Sequence, residues 1–209
     1  MAKYKAKALA QWNNFLTTLQ KYPRSTVLID CDDFAAWAIN LGQTLAGIGQ
    51  DKLLPGFTCC HAFNFISGIQ TFEANGKKLA YGNINDYKAR FLSGDCRLAV
   101  FFPKPVLWSA QAPALFDRAV KEYLNENYNG WELFGFAVLD LFHLNGVLKN
   151  PFFKNNSCVC DQLTALVYKY ITLLYNALLG GMDISDLQPQ NLCVNVPKAE
   201  DLIIDSENA

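Results

Sequence analysis

The stretch Asn155 to Leu178, NNSCVCDQLTALVYKYITLLYNAL, decides how the chain is read. Leu163, Leu166, Val167, Tyr170, Leu174, Ala177 and Leu178 recur at three- and four-residue steps, which predicts one helix with a continuous apolar face. Asn156 and Ser157 are both suited to cap its start. Cys158 and Cys160 fall in the first turn. At about 100° per residue, Cys160 shares the Leu163/Val167 stripe and Cys158 sits about 200° away. Cys160 is therefore expected to face whatever the helix packs on. A thiol at a helix start meets unpaired N–H groups and the positive dipole end, which favour the thiolate. The plainer alternative is a small buried apolar residue close to a helix start.

Around this stretch, 209 residues predict one domain, or one domain with an extra arm. Hydrophobic residues make up 51% of the chain, which argues against disorder. The net charge is −1 with no basic block, so nucleic acid is not an expected partner. Seven cysteines, two of them adjacent at 59 and 60, do not form the even, spaced set of a disulfide framework. The first twenty residues read as a helix with a polar side rather than a secretory signal, and no apolar run reaches membrane-spanning length. The expected home is the reducing cytoplasm; a protein delivered elsewhere from there would look the same.

Residues 3–22 predict a helix with Tyr4, Leu9, Trp12, Phe15, Leu16 and Leu19 on one side, ended by Pro23. This gives an N-terminal arm over 1–24, expected to pack on the domain. Ser25 to Asp30 reads as a strand, and Asp32 and Asp33 cap a helix over 34–48. Cys59 to Ile66 and Ile69 to Ala74 read as a hairpin turning at Ser67-Gly68. Asn75-Gly76 turns the chain again into Lys77 to Tyr81. Residues 82–92 fit neither period. Cys96 to Phe102 is a strand, closed by Pro103 and Pro105. Ser109 caps a helix running to about Glu126. Another apolar helix covers 132–144, and a short strand covers 192–196. Residues 198–209 read as an acidic, solvated tail. Strands grouped between helical parts predict an α+β domain over 25–197.

A cysteine nucleophile needs a base within hydrogen-bond reach, usually oriented by a third group. The chain has two histidines. His143 sits near a predicted helix end, where a structural role is the plain reading. His61 sits mid-strand in CCHAFNFI, where it is either a base or a satisfied strand histidine. Hairpin register decides the third group. With a loop of Ser67 to Ile69, Phe63 faces Glu73, and the period of two puts Glu73 and His61 on one sheet face. With a two-residue loop the face flips and Gln70 replaces Glu73.

His61 in a strand, then Phe72-Glu73-Ala74, then Cys160-Asp161-Gln162-Leu163 opening a helix, resembles the circularly permuted NlpC-type papain-like cysteine hydrolases. In the usual order of that fold the cysteine helix precedes the histidine strand; in permuted members the histidine comes first, as here. Tyr128, in Tyr128-Asn129-Gly130-Trp131, is similar to the tyrosine that this family carries ahead of its cysteine helix. Leu28-Ile29-Asp30 stands where the family has a Gly-Asp opening, and Asp161 where it usually has Ser. The resemblance implies a papain-like antiparallel sheet packed on helices, with the N-terminal helix as an addition. It also implies that His61 takes the Cys160 proton and that Cys160 attacks an amide or ester carbonyl to form an acyl-thioester. Glu73, or Gln70 in reserve, would orient His61. Tyr128 would line the substrate site. Backbone N–H groups at the helix start would help hold the oxyanion, each donor worth roughly 3 kcal/mol. The implied substrates are cell-wall-type peptide amides or acyl–lipid linkages, and no cofactor is required.

Two other readings stand beside this one. Cys59, Cys60, His61, Cys158 and Cys160 could converge on a metal, but C-C-H and C-x-C are not the spacings of structural zinc sites. Strand alternation also sends Cys60 away from His61. A catalytically silent binding or structural protein on the same fold is the other, with the first helix and Phe152-Phe153 serving a partner.

Overall fold

The computed structural model describes residues 2–31, 57, 59–128, 157–158, 160–187 and 200–205. The expected helices over 34–48 and 132–144, the strand over 192–196, His143, Phe152 and Phe153 lie outside the described residues.

The chain opens with α1 (Ala2–Leu19) and enters β1 (Ser25–Cys31). The hairpin β2 (His61–Ser67) and β3 (Gln70–Ala74) follows, then β4 (Leu79–Asn83). A 3-10 turn (Ile84–Tyr87) leads into the short α2 (Lys88–Ser93), which ends at Gly94 with φ +89°. Next come β5 (Cys96–Pro103), α3 (Ala112–Tyr123), and the two-residue strands β6 (Asn127–Tyr128) and β7 (Ser157–Cys158). Two short helices, α4 (Cys160–Leu166) and α5 (Thr172–Leu179), precede β8 (Glu200–Asp205). The main sheet has the order β4-β3-β2-β1-β5-β8, every neighbouring pair antiparallel. This is an α+β fold.

Alternation along the strands gives the sheet two apolar faces. Val27, Ile29, Phe63, Phe65, Leu98 and Val100 point to α1, where Trp12, Phe15 and Leu19 are fully buried. Each of those three large side chains contributes roughly 1.5–3 kcal/mol of apolar burial. The N-terminal arm is therefore part of the core, and Leu9, at 41% exposure, lies off its buried side. The opposite face carries Leu28, Ala62, Phe72, Ala99 and Phe101 against residues of α3, α4 and α5.

Arg24 joins α1 to β1 with φ +64°, a left-handed conformation costly for a non-glycine residue. Three contacts hold it there. Its guanidinium grips Asp117 through Nε (2.9 Å) and Nη2 (2.7 Å), its N–H bonds Ile66 O (3.2 Å), and its carbonyl accepts from the Tyr168 hydroxyl (3.0 Å).

Three expectations need correction, and one stretch left open by its pattern is now assigned. The helix expected through 155–178, with Cys158 in its first turn, starts only at Cys160, because Ser157–Cys158 is the strand β7, and it is two helices with a turn at 167–170, where N–H groups of Tyr168 and Lys169 bond three residues back. The cause is tertiary: Tyr168 is fully buried, and its hydroxyl meets Arg24 O, Thr26 Oγ1 (3.1 Å) and Asn64 Nδ2 (3.5 Å). A buried tyrosine hydroxyl needs such partners. The helix expected from Ser109 to Glu126 is shorter at both ends. Ser109 serves through its carbonyl, which accepts from Ala112 N–H, and the chain leaves the helix so that residues 125–126 can pair with Leu79 at the edge of β4. Residues 82–92, which fitted neither period, form the end of β4, the 3-10 turn and α2. The segment expected as a solvated tail contributes β8, hydrogen-bonded to β5. Its acidic residues hid a strand whose backbone supplies the pairing.

Among the described residues, no helix is long and apolar enough to cross a membrane.

Candidate active site

The hairpin carries the site, and its register combines both loop geometries considered from the sequence. Ser67 pairs with Gln70, so the loop has two residues, Gly68 and Ile69, with Gly68 at φ +62°. Taken alone, that loop would have flipped the face. A bulge between Phe65 and Ser67 absorbs one residue, and Phe65 then pairs with Thr71 and Asn64 with Phe72. The register beyond the bulge is that of the three-residue loop. Glu73 therefore comes to His61, with Oε2 3.8 Å from Nε2. Gln70 lies at the exposed hairpin end, about 20 Å along the strand from His61. It is not the orienting group.

The β2–β3 pairing stops at Asn64 and Phe72, short of His61 and Glu73. α4 packs against both strands at this open end. Cys160, the first residue of α4, is 3% exposed and belongs to the core on the α4 side. Its sulfur is the hydrogen-bonding and charge partner of His61. The face expectation for Cys160 thus holds even though the long helix does not. A seven-residue helix carries little macrodipole, so the imidazole is the main neighbour available to stabilise a thiolate.

Burial disfavours the charged form of His61, whose side chain is 25% exposed. The Cys160 sulfur and then the Glu73 carboxylate outweigh that penalty and raise its pKa to about 10. Burial likewise pushes Glu73 up, but the His61 imidazole 3.8 Å away and the hydroxyl hydrogen bonds from Thr71 and Tyr87 bring it below the usual carboxylate range. Thr71 Oγ1 donates to Glu73 Oε1 at 2.6 Å, and the Tyr87 hydroxyl donates to Oε2 at 2.6 Å. Tyr87 stacks on Phe63 with ring centroids 5.1 Å apart and planes at 18°.

Tyr128, expected to line a substrate site, lies in β6 and pairs in parallel with Cys158, two residues before Cys160. It is partly buried and packs on the core that contains Cys160. The described backbone thus brings it to the segment leading into Cys160. Cys59 and Cys60 do not share one site. Cys59 Sγ donates to His61 O at 3.4 Å, whereas Cys60 Sγ donates to Ile29 O at 3.3 Å within the α1-side core. Among the described residues, no group of three or more His, Cys, Asp or Glu side chains is arranged to hold a metal ion.

Thr71, Gly82 and Tyr87 were not singled out from the sequence. Gly82 had one signal, a glycine near a strand end, which often marks close approach of another group. Tyr87 had none, because its stretch fitted no period. Chemically, the arrangement offers a sulfur nucleophile, a base beside it and an ionised carboxylate behind the base. No family model matches the chain, and no curated protein matches it in sequence.

Proposed function

We propose that the protein is a cysteine hydrolase or acyltransferase of the permuted papain-like type, acting on an amide or ester carbonyl through Cys160. The observation that carries this reading is the meeting of Cys160, His61 and Glu73, from three separate elements, at the open end of one hairpin. With Nε2 turned to Glu73, Nδ1 is the nitrogen that takes the thiol proton. The thiolate adds to the carbonyl carbon, and the imidazolium returns the proton to the departing amine or alcohol. That leaves an acyl-thioester on Cys160. A water, deprotonated by His61, attacks the thioester; the acid leaves and the thiol is restored. Another acceptor in place of water makes the reaction a transfer. Glu73 keeps the imidazole oriented and stabilises its charge. Tyr128 flanks the approach to the sulfur, and the substrates are peptide amides of cell-wall type or acyl–lipid linkages, as the sequence resemblance implies.

Alkylation by iodoacetamide tests the nucleophile without a known substrate. Rapid labelling of Cys160 near neutral pH is expected, and Cys160→Ala is expected to lower hydrolysis by about 10⁴-fold or more with the fold intact. Cys158→Ala should retain activity. Equal activity in the two variants rejects the assignment. A catalytically silent protein on the same fold is the second reading, favoured by the 3% exposure of Cys160. A labelling rate no faster than that of an ordinary thiol decides for it.

A further inference from the structure

We infer that Thr71, Gly82 and Tyr87 form a cradle that fixes the Glu73 carboxylate against His61, making them positioning residues of the site; this deepens the cysteine–histidine reading and rests on it. Both carboxylate oxygens are engaged from outside the dyad, Oε1 by Thr71 and Oε2 by Tyr87, each at 2.6 Å. Hydroxyl bonds to an ionised oxygen are short and strong, and two of them stop the carboxylate from rotating. With a hydroxyl donating on each side, the cradle favours the charged carboxylate over the protonated acid. The charge it preserves sits 3.8 Å from His61 Nε2.

Gly82 supplies the space. It pairs with Thr71 across β3 and β4. A Cβ at this position would fall 1.8 Å from Glu73 Oε1, 2.8 Å from Glu73 Cδ and 2.7 Å from Thr71 Oγ1. Those atoms are the carboxylate and the hydroxyl that binds it, so any side chain here must displace them. The backbone of Gly82 is not in the left-handed region, so the requirement is for room rather than for an unusual turn. Tyr87 reaches the carboxylate from the 3-10 turn that Asn83 caps, its Oδ1 accepting from Asn85 N–H at 3.0 Å. Stacking on Phe63 fixes the ring, and Phe63 is itself 6.2 Å from the His61 ring.

A purely structural role for the two hydroxyls, satisfying a buried glutamate, makes a different prediction from a positioning role. The full chain contains only His61 and His143, so the His61 imidazole can be followed by NMR across pH. Tyr87→Phe keeps the stacked ring and removes one donor; Thr71→Val removes the other, and Thr71→Ser keeps it. The His61 midpoint is expected to fall by about one pH unit, a tenfold loss in proton affinity, in Tyr87→Phe and Thr71→Val. Thr71→Ser should restore the wild-type value, and Gly82→Ala should fall as far as Glu73→Gln. Wild-type midpoints in both folded hydroxyl variants overturn the inference, and Tyr87→Phe decides the question should Gly82→Ala not fold. Failure of the hydrolase reading shows itself separately, as an ordinary alkylation rate at Cys160 in the unaltered protein.

Discussion

Glu73 and Glu122 each accept a tyrosine hydroxyl at 2.6 Å, from Tyr87 and Tyr170, and each lies against a cation, His61 in one case and Lys169 in the other. Both carboxyls are held below the usual range, Glu73 against a strong burial penalty and Glu122 chiefly by the Lys169 hydrogen bond. The difference is solvent. The Glu73 side chain is 11% exposed and the Glu122 side chain 45%. At Glu122 the surrounding cluster ties the turn after α4 to α3: Lys169 lies over the Tyr123 ring and Arg118 over the Tyr170 ring. Water screens those charges, so the cluster is a surface brace. At Glu73 little water competes, and a carboxylate held by a tyrosine and a threonine hydroxyl acts on the proton of a histidine facing a thiol. Matching chemistry thus becomes a brace or a candidate catalytic device according to depth.

Removing each carboxylate should break this comparison open. Glu73→Ala removes the carboxylate to which the Thr71 and Tyr87 hydroxyls donate and leaves His61 without its second counter-charge. A loss of about 3 kcal/mol in unfolding free energy is expected, read by chemical denaturation. A value below about 1 kcal/mol would put Glu73 in the same class as Glu122.

Titration sharpens the contrast next. A histidine whose pKa is raised by folding binds its proton more tightly in the native state, so stability falls as the unfolded chain loses the proton first. The His61 contribution is complete below its ordinary value of 6.5 and is lost as pH rises through about 10. Cys160→Ala removes the sulfur that opposes burial, so the His61 midpoint should move down towards the ordinary value, measured by imidazole NMR. An unchanged midpoint would mean the sulfur does not face the ring. Glu73 acts in the other direction: its depressed pKa stabilises the protein above 4.5, and that contribution disappears as pH falls through the lower folded value.

The smallest effect is expected at Glu122→Ala, a loss of about 0.2–1 kcal/mol that shrinks further in high salt. The His61 titration should not respond to it. A response would couple the surface brace to the site through the turn at 167–170.

Much of the frame was legible because it follows from short-range periodicity. The β-branched, apolar run Ser25–Asp30 and the apolar run Cys96–Phe102, closed by prolines, identified β1 and β5, and the apolar side of residues 3–22 identified α1 together with its buried Trp12, Phe15 and Leu19. Asn75-Gly76 marked a real turn, with Gly76 at φ +81° and Asn75 Oδ1 accepting from Lys77 and Lys78 N–H. The partnership of His61 with Glu73 rather than Gln70 was legible only as a pair of alternatives, because a bulge leaves no periodic trace. The split between α4 and α5 had no local signal either: Leu166, Val167 and Tyr170 carry the helical stripe across it, and the break follows from Tyr168 meeting Arg24, Thr26 and Asn64.

By itself, the order of residues determined which segments alternate, which are amphipathic, and that a cysteine, a histidine and a glutamate were available for one chemistry. Only the tertiary structure decided that the hairpin bulge turns Glu73 to His61, that Gly82 makes room for its carboxylate, and that Tyr87 closes on it from the following turn. The physical reason is range. Propensity and periodicity act between neighbours a few residues apart, whereas burial, which gives these charges their strength, exists only once distant segments have packed together.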